Sequence, residues 1–344
     1  MELPQAVNIG HGILQEIGLF LKMFKPIEKI LIVSGPNVSK KVNNVVCESL
    51  SRNEFSYEWY TIKSSTLSEV EEVENIARVN KTDLIIGLGG GKAVDVAKLG
   101  SFRHGSPFVS IPTSASHDGM SSPFASIHGG EKPYSYTTKP PIGVLADIDV
   151  IINAPSRLLA AGCGDLLAKF TAVRDWVLGH KEKNEYYGRY AASLALLSAD
   201  LVLQESTKIG KGESEYIRNV VEALISSGVA AGIAGSSRPC SGSEHLFYHA
   251  LDLLAPGIGL HGELCGLGTI MMAKLHGLEW EKIRQSLENV NAPTTANALG
   301  ISEDLIIKAL MMAPNLRPDR YTILNKVKLN PSDAKRLARD TLII

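Results

Sequence analysis

Short apolar runs recur through the first half of this chain, each separated from the next by enough residues for one helix. Lys29–Ser34 (KILIVS) leads into a helical stretch reaching about Asn53, and Tyr57–Ile62 into an acidic amphipathic stretch over Leu67–Val79. Asp83–Leu88 (DLIIGL) runs into GGGKAVDVAK and another helix, and Phe108–Ile111 and Gly143–Ala146 continue the series. Strands that alternate with helices need crossover connections, and near-continuous apolar strands are buried on both faces. The pattern therefore predicts βαβ units and a mainly parallel, Rossmann-like sheet. The Ser-, Pro- and Gly-rich stretch from Pro112 to Pro141 is too long for an ordinary connection, and a small antiparallel excursion is expected over Phe124–Tyr136. After about Pro155 helical periodicity takes over, with Ala- and Leu-rich runs such as YAASLALLSADLVLQ. The expected organisation is an α/β domain over 1–153 and an all-helical domain over 154–344.

Composition excludes several function classes. A formal net charge of −1 gives no broad attraction to nucleic acid or an anionic membrane. No continuous apolar run approaches the roughly 20 residues that span a bilayer, and the N-terminus lacks the basic start and apolar core of a signal peptide. The four cysteines, Cys47, Cys163, Cys240 and Cys265, are scattered without a CxxC pair, which fits a reducing compartment. A cytoplasmic protein without nucleic-acid partners or membrane insertion is expected. Cys163 and Cys265 lie near candidate site residues, where each is either a thiolate ligand or a small buried side chain.

Two constellations carry chemistry. Gly89-Gly90-Gly91-Lys92-Ala93-Val94-Asp95 follows an apolar strand and opens a helix, a context in which glycines admit phosphate oxygens and free N–H groups meet a pyrophosphate. It is neither GxGxxG nor a P-loop. Ser34-Gly35-Pro36 and Thr113-Ser114-Ala115-Ser116 stand past other strand ends, where open parallel sheets bind ligands. The second constellation is histidine: His245, His249 and His261, three of nine, fall within SGSEHLFYHALDLLAPGIGLHGE. The first two are four apart on one helix face, and a Pro256–Gly259 turn can fold the third beside them. Neutral imidazole is the commonest metal ligand; the alternative is three helix histidines satisfied by neighbours or solvent.

In order along the chain, GGGKAVDVAK, IPTSASHDGMSSP, AAGCGDLLAK, SGSEHLFYHALD and LHGELCGLGT resemble the iron-dependent alcohol dehydrogenase and dehydroquinate synthase-like superfamily. Within it the resemblance is to the sn-glycerol-1-phosphate dehydrogenase family of archaeal ether-lipid synthesis, and it covers essentially the whole chain. It implies that Gly91, Lys92, Ala93, Val94 and Asp95 form the pyrophosphate loop, with Thr113, Ser114, Ala115, Ser116 and Ser122 on the nicotinamide side. It implies that Asp165, His245 and His261 are metal ligands, and that Asp118 and His249 face substrate beside the metal. Glu263 then caps its helix or orients a ligand.

The activity so implied is reduction of dihydroxyacetone phosphate to sn-glycerol 1-phosphate by NADH or NADPH. One divalent ion assists; zinc is expected, though Fe(II), Ni(II) and Mn(II) accept such ligands. A homo-oligomer is also implied, with the reaction placed between the domains. Asp118, Asp165 and His249 are the catalytic candidates, and Lys169 and Arg174 are candidates for the substrate phosphate. Competing readings are a glycerol dehydrogenase, a dehydroquinate synthase-like lyase, and a nucleotide-binding protein without chemistry.

Overall fold

Alternate residues of each central strand bury into two different cores. Ile30 and Ile32 pack with Leu84, Ile86, Val109 and Ile111 on one face, against Phe20, Leu21, Val46 and Leu50. Leu31 and Val33 pack with Ile85 on the other, against Val70, Val73, Ala77, Val94 and Ala97. The period of two along a strand thus explains why these segments read as unbroken apolar runs: both faces are covered. The computed structural model describes residues 2–24, 26–128 and 135–344. They divide into two compact units, one of 1–115 with 119–155 and one of 116–118 with 156–344.

The first unit holds strands β1 (Ala6–Gly10), β2 (Lys29–Ser34), β3 (Ser56–Thr61), β4 (Leu84–Gly89), β5 (Phe108–Pro112), β6 (Phe124–Ser126), β7 (Ser135–Thr137) and β8 (Gly143–Asp147). Six of them form a sheet in the order β1-β8-β5-β4-β2-β3, every pair parallel, as the alternating pattern predicts. Strand β1 is absent from the sequence expectation: AVNIG has no apolar run and sits half-exposed at the sheet edge. β6 and β7 form the expected antiparallel pair, although residues 129–134 of that excursion lie outside the described residues. The chain leaves β2 to one side to make β3 and returns to the other side to make β4. That reversal places a ligand crevice outside the carboxyl ends of β2 and β4.

The second unit is helical. Its Ser214–Ala234 helix has membrane-spanning length and a mean hydropathy of 1.3 over its most apolar window, although polar residues interrupt its apolar run. That window is 56% buried, and the helix packs along Arg189–Gly210 as a core element of its unit. Two glycine contacts draw two other helices together. A Cβ on Gly262 would stand 1.7 Å from the Ala161 carbonyl oxygen, and one on Gly164 would stand 2.2 Å from the Gly262 oxygen. Only glycine permits that approach, and it brings the Ser156–Leu167 helix against the start of His261–Leu275.

Candidate active site

In the first unit the two predicted strand-end turns are neighbours. A Cβ on Gly89, whose φ is +156°, would come 3.9 Å from the Gly35 amide nitrogen. Gly90 caps the Gly91–His104 helix in an extended conformation. The Ala93 and Val94 amides close on the Gly90 carbonyl, while those of Gly91 and Lys92 stand at the free helix start. The Thr113 amide donates to the Gly89 carbonyl at 3.0 Å, which sets Thr113-Ser114-Ala115 beside the turn. The Ser114 hydroxyl is buried, has no hydrogen-bond partner, and lies 3.4 Å from where a Gly90 Cβ would be. A buried orphan hydroxyl beside a side-chain-free helix start fits a phosphate-bearing cofactor.

The side chains of this stretch divide. Ala93, Val94 and Asp95 are buried, so only their backbone is available to a ligand. The Asp95 carboxylate accepts from the Ser126 amide at 3.1 Å and from Lys98 Nζ at 3.3 Å, which ties the helix to β6. Ser122 Oγ makes a 3.4 Å contact with the Phe124 carbonyl. Ser116 groups with the second unit.

In the second unit Asp165, His245 and His261 converge from three helices. Asp165 Oδ1 lies 3.6 Å from His245 Nε2 and 3.7 Å from His261 Nε2. Ligands about 2.1 Å from a tetrahedral ion stand roughly 3.4 Å apart, so the donor set fits a divalent metal. The convergence follows from local sequence. Asp165 and the start of the His261 helix meet through Gly164 and Gly262, while a Gly268 Cβ would stand 3.0 Å from the Glu244 carbonyl, seating that helix against Ser243–Leu254. His261 is the first residue of its helix, and Glu263 Oε2 accepts the preceding Leu260 amide at 2.8 Å. Glu263 also takes both arms of Arg157, at 2.5 and 2.7 Å; these contacts match the capping alternative.

Several contacts around the triad escape sequence reasoning. Glu244 Oε1 pairs with His245 Nδ1 at 2.7 Å and leaves Nε2 to face Asp165. Glu244 is itself held by Thr171 at 2.6 Å and the Gly242 amide at 2.5 Å. A carboxylate behind a metal-binding histidine fixes its tautomer; the EH pair in SGSEH was the available signal. Cys265 Sγ lies 3.7 Å from His261 Nε2 and forms a cluster with both histidines, their donor atoms all within 4.8 Å of one another. Cys265 is thus a further candidate ligand, on the i+4 face of His261.

Lys169 is fully buried, with Nζ 2.7 Å from Asp165 Oδ1 and 2.9 Å from Asp118 Oδ2. Ser227 donates to the same Asp118 oxygen at 2.9 Å, and the Asp118 amide donates to Asp165 Oδ2 at 2.9 Å. Burial opposes the charge on Lys169, but Asp118 and Asp165 hold its pKa well above the ordinary value. Burial likewise opposes the Asp165 carboxylate, and Lys169 with the two histidines holds it well below. Lys169 is therefore committed to two carboxylates and leaves the list of phosphate candidates. Arg174 is exposed and lines a surface groove with Phe170, Val177 and Tyr187.

Burial disfavours the charged form of His261, yet the Cys265 thiolate and Asp165 carry it to about 9; the same neighbours hold His245 well above its usual value. His249 behaves oppositely. Burial, then the charges of His245, His261, Arg320 and Arg317, push it well below the usual range, so its imidazole is neutral near pH 7.

Residues 8–155 match the family model of iron-containing alcohol dehydrogenases. The crystal structure of glycerol dehydrogenase from Schizosaccharomyces pombe shares the fold, with a TM-score of 0.82 at 22% identity over 99% of this chain and 90% of that one. The class is therefore an α/β-plus-helical dehydrogenase fold. Two relatives named glycerol-1-phosphate dehydrogenase (NAD(P)+) are each 50% identical over 344 residues. The Nitrosopumilus maritimus protein is covered to 97% of its length and the Pyrococcus horikoshii protein to 99%, each with all of this chain. The chain belongs to the glycerol-1-phosphate dehydrogenase family.

Proposed function

We propose that this protein reduces dihydroxyacetone phosphate to sn-glycerol 1-phosphate with NADH or NADPH, aided by one divalent metal, with zinc as the expected ion. The observation that carries the reading is full-length, 50% identity to relatives bearing that enzyme name. The Asp165/His245/His261 geometry agrees with it, since a protein that had lost chemistry would have no need to keep three donors in register. The fold neighbour named as a glycerol dehydrogenase shares only 22% identity and speaks to fold, not substrate.

In this reading the first unit binds the nicotinamide cofactor. Gly91 to Asp95 offer backbone at the pyrophosphate, and Thr113, Ser114, Ala115, Ser116 and Ser122 line the nicotinamide side. Asp165, His245 and His261 would hold the metal, which when bound would supply Lewis-acid polarisation of the substrate carbonyl. Glu244 keeps His245 Nε2 pointed inward. Lys169 pairs with both Asp118 and Asp165 and helps hold the buried Asp165 carboxylate ionised. The nicotinamide, when bound, would supply the hydride that C2 of the substrate accepts, and His249 would relay a proton from solvent to the C2 oxygen, with Asp118 positioning the substrate. The enzyme acts in the cytoplasm as a homo-oligomer.

The test is steady-state turnover on dihydroxyacetone phosphate and on dihydroxyacetone with each reduced cofactor, followed by chiral analysis of the product. Preference for the unphosphorylated ketone would move the protein to the glycerol dehydrogenase reading. Formation of sn-glycerol 3-phosphate would sink the stereochemical assignment.

A further inference from the structure

With Lys169 committed elsewhere, the substrate phosphate still needs a cationic partner, and the second unit contains a buried cation that, among the described residues, has no carboxylate at ion-pair distance. Arg320 lies between the helices Glu303–Leu316 and Ile323–Val327 and is 6% exposed. Its Nη1 donates to the Ser241 carbonyl at 2.6 Å and its Nη2 to Ser237 Oγ at 2.8 Å. These use two of the five N–H donors of a guanidinium. Two other arginines act on it, and both are neutralised. Arg238 takes both oxygens of Glu185, and Arg317 grips Asp319 at 3.2 and 2.9 Å. Among the described residues no carboxylate comes within ion-pair distance of Arg320.

A buried, unpaired charge is costly to fold around. Burial, followed by the charges of Arg317 and Arg238, pushes Arg320 down to about 10 against the weaker, more distant pull of Asp319 and Glu244. Arg238 Nη1 is buried as well and has no hydrogen-bond partner. Two guanidiniums with uncommitted donors form a receptor for a tetrahedral oxyanion, whose oxygens match the planar fork.

The position is informative too. Ser241, which anchors Arg320, directly precedes Gly242 and the Ser243–Leu254 helix, with His245 in its first turn and His249 one turn on. His249 lies in the field of the ligand histidines and of Arg320 and Arg317 together. One helix start therefore links the metal triad to the uncompensated arginine.

We propose that Arg320, supported by Arg317 and by the unpartnered Nη1 of Arg238, is the subsite that takes the phosphate monoester of the substrate. This deepens the reading above and rests on it. The subsite selects phosphorylated over plain ketone, while the Asp165/His245/His261 set takes the other end of the molecule.

The test pairs kinetics with a binding measurement on unaltered protein. In Arg320→Gln the ratio of kcat/KM for dihydroxyacetone phosphate to that for dihydroxyacetone should fall roughly ten- to hundred-fold, carried by KM, the loss of about one charge-assisted hydrogen bond. Arg320→Lys should recover part of it, and metal content should stay at the level of the parent. An unchanged ratio in Arg320→Gln would overturn the proposal, as would an equal loss on both ketones. In the unaltered holoenzyme, inorganic phosphate should slow amide hydrogen exchange across residues 317–322 and at Ser241–Ser243. Protection confined to the Gly-rich turn of the first unit would overturn it even if neither variant folds. If the parent enzyme does not favour the phosphorylated ketone but phosphate still protects 317–322, the substrate reading fails and the anion subsite stands.

Discussion

Gly262→Ala tests whether the metal donors converge because two glycines let backbones touch. The added Cβ would stand 1.7 Å from the Ala161 carbonyl oxygen and 2.5 Å from its carbon. Ordinary contact begins near 3.4 Å, so the gap must open by about 1.7 Å, and both partners are backbone that cannot rotate away. Strain of this kind costs about 1–3 kcal/mol, and more where helices must separate as bodies. The larger consequence is local. His261 follows its helix away from Asp165, now 3.7 Å distant, while metal–ligand distances tolerate only about 0.2 Å. Disturbing a group behind a ligand already lowers affinity about 10–100-fold, so displacing a ligand should lower it ~100-fold or more. The assay is zinc partition against a competing chelator, read with unfolding of the metal-free and metal-bound protein. Metal should stabilise the parent far more than the variant. Parental zinc affinity in Gly262→Ala, with an undiminished metal-free stability, would refute the close-approach account.

Lys169→Met should destabilise the metal-free protein by about 3–5 kcal/mol in urea unfolding, because the buried Asp165 and the half-buried Asp118 lose their shared cation; a loss under 1 kcal/mol would contradict that. Glu244→Gln should lower zinc affinity about 10–100-fold with little change in fold, by freeing the tautomer of His245. His249→Ala should reduce turnover by about 10²–10⁴ while zinc content measured by atomic emission stays normal; loss of zinc would make His249 a ligand. For pH, His261 is raised in the folded metal-free state to about 9. The stability it contributes is complete below its unfolded value near 6.5 and disappears as pH climbs through about 9. Metal must displace that proton, so zinc affinity should rise over the same window. Opposite slopes for metal-free stability and zinc affinity between pH 6.5 and 9 are expected; parallel slopes would count against the assignment.

Much of the fold was legible because burial on two faces writes itself into sequence. β2, β4, β5 and β8 are apolar at nearly every position, and the Gly-rich turn follows the strand that its context requires. β1 was illegible because an edge strand needs only one partner and little burial, so AVNIG has no pattern to show. The triad residues were named from the resemblance of their motifs. In the sequence Cys265 reads as either a ligand or a small buried residue, until its Sγ is seen 3.7 Å from His261 Nε2; Lys169 reads as a phosphate contact or a solvated helix charge, until it is seen between two carboxylates.

The amino-acid order by itself determined the alternation of strands and helices, the change to helices after Pro155, and which residues have the chemistry to bind a metal. Those properties depend on neighbours a few positions apart. Tertiary structure decided which donors converge, which lysine is spent on charge balance, and which buried arginine has no carboxylate at ion-pair distance among the described residues. Those outcomes depend on groups separated by tens of residues: Asp165 meets His261 because Gly164 and Gly262 let two backbones come into contact, His245 joins them where Gly268 meets Glu244, and Arg320 reaches Ser241 across a span that no local pattern encodes.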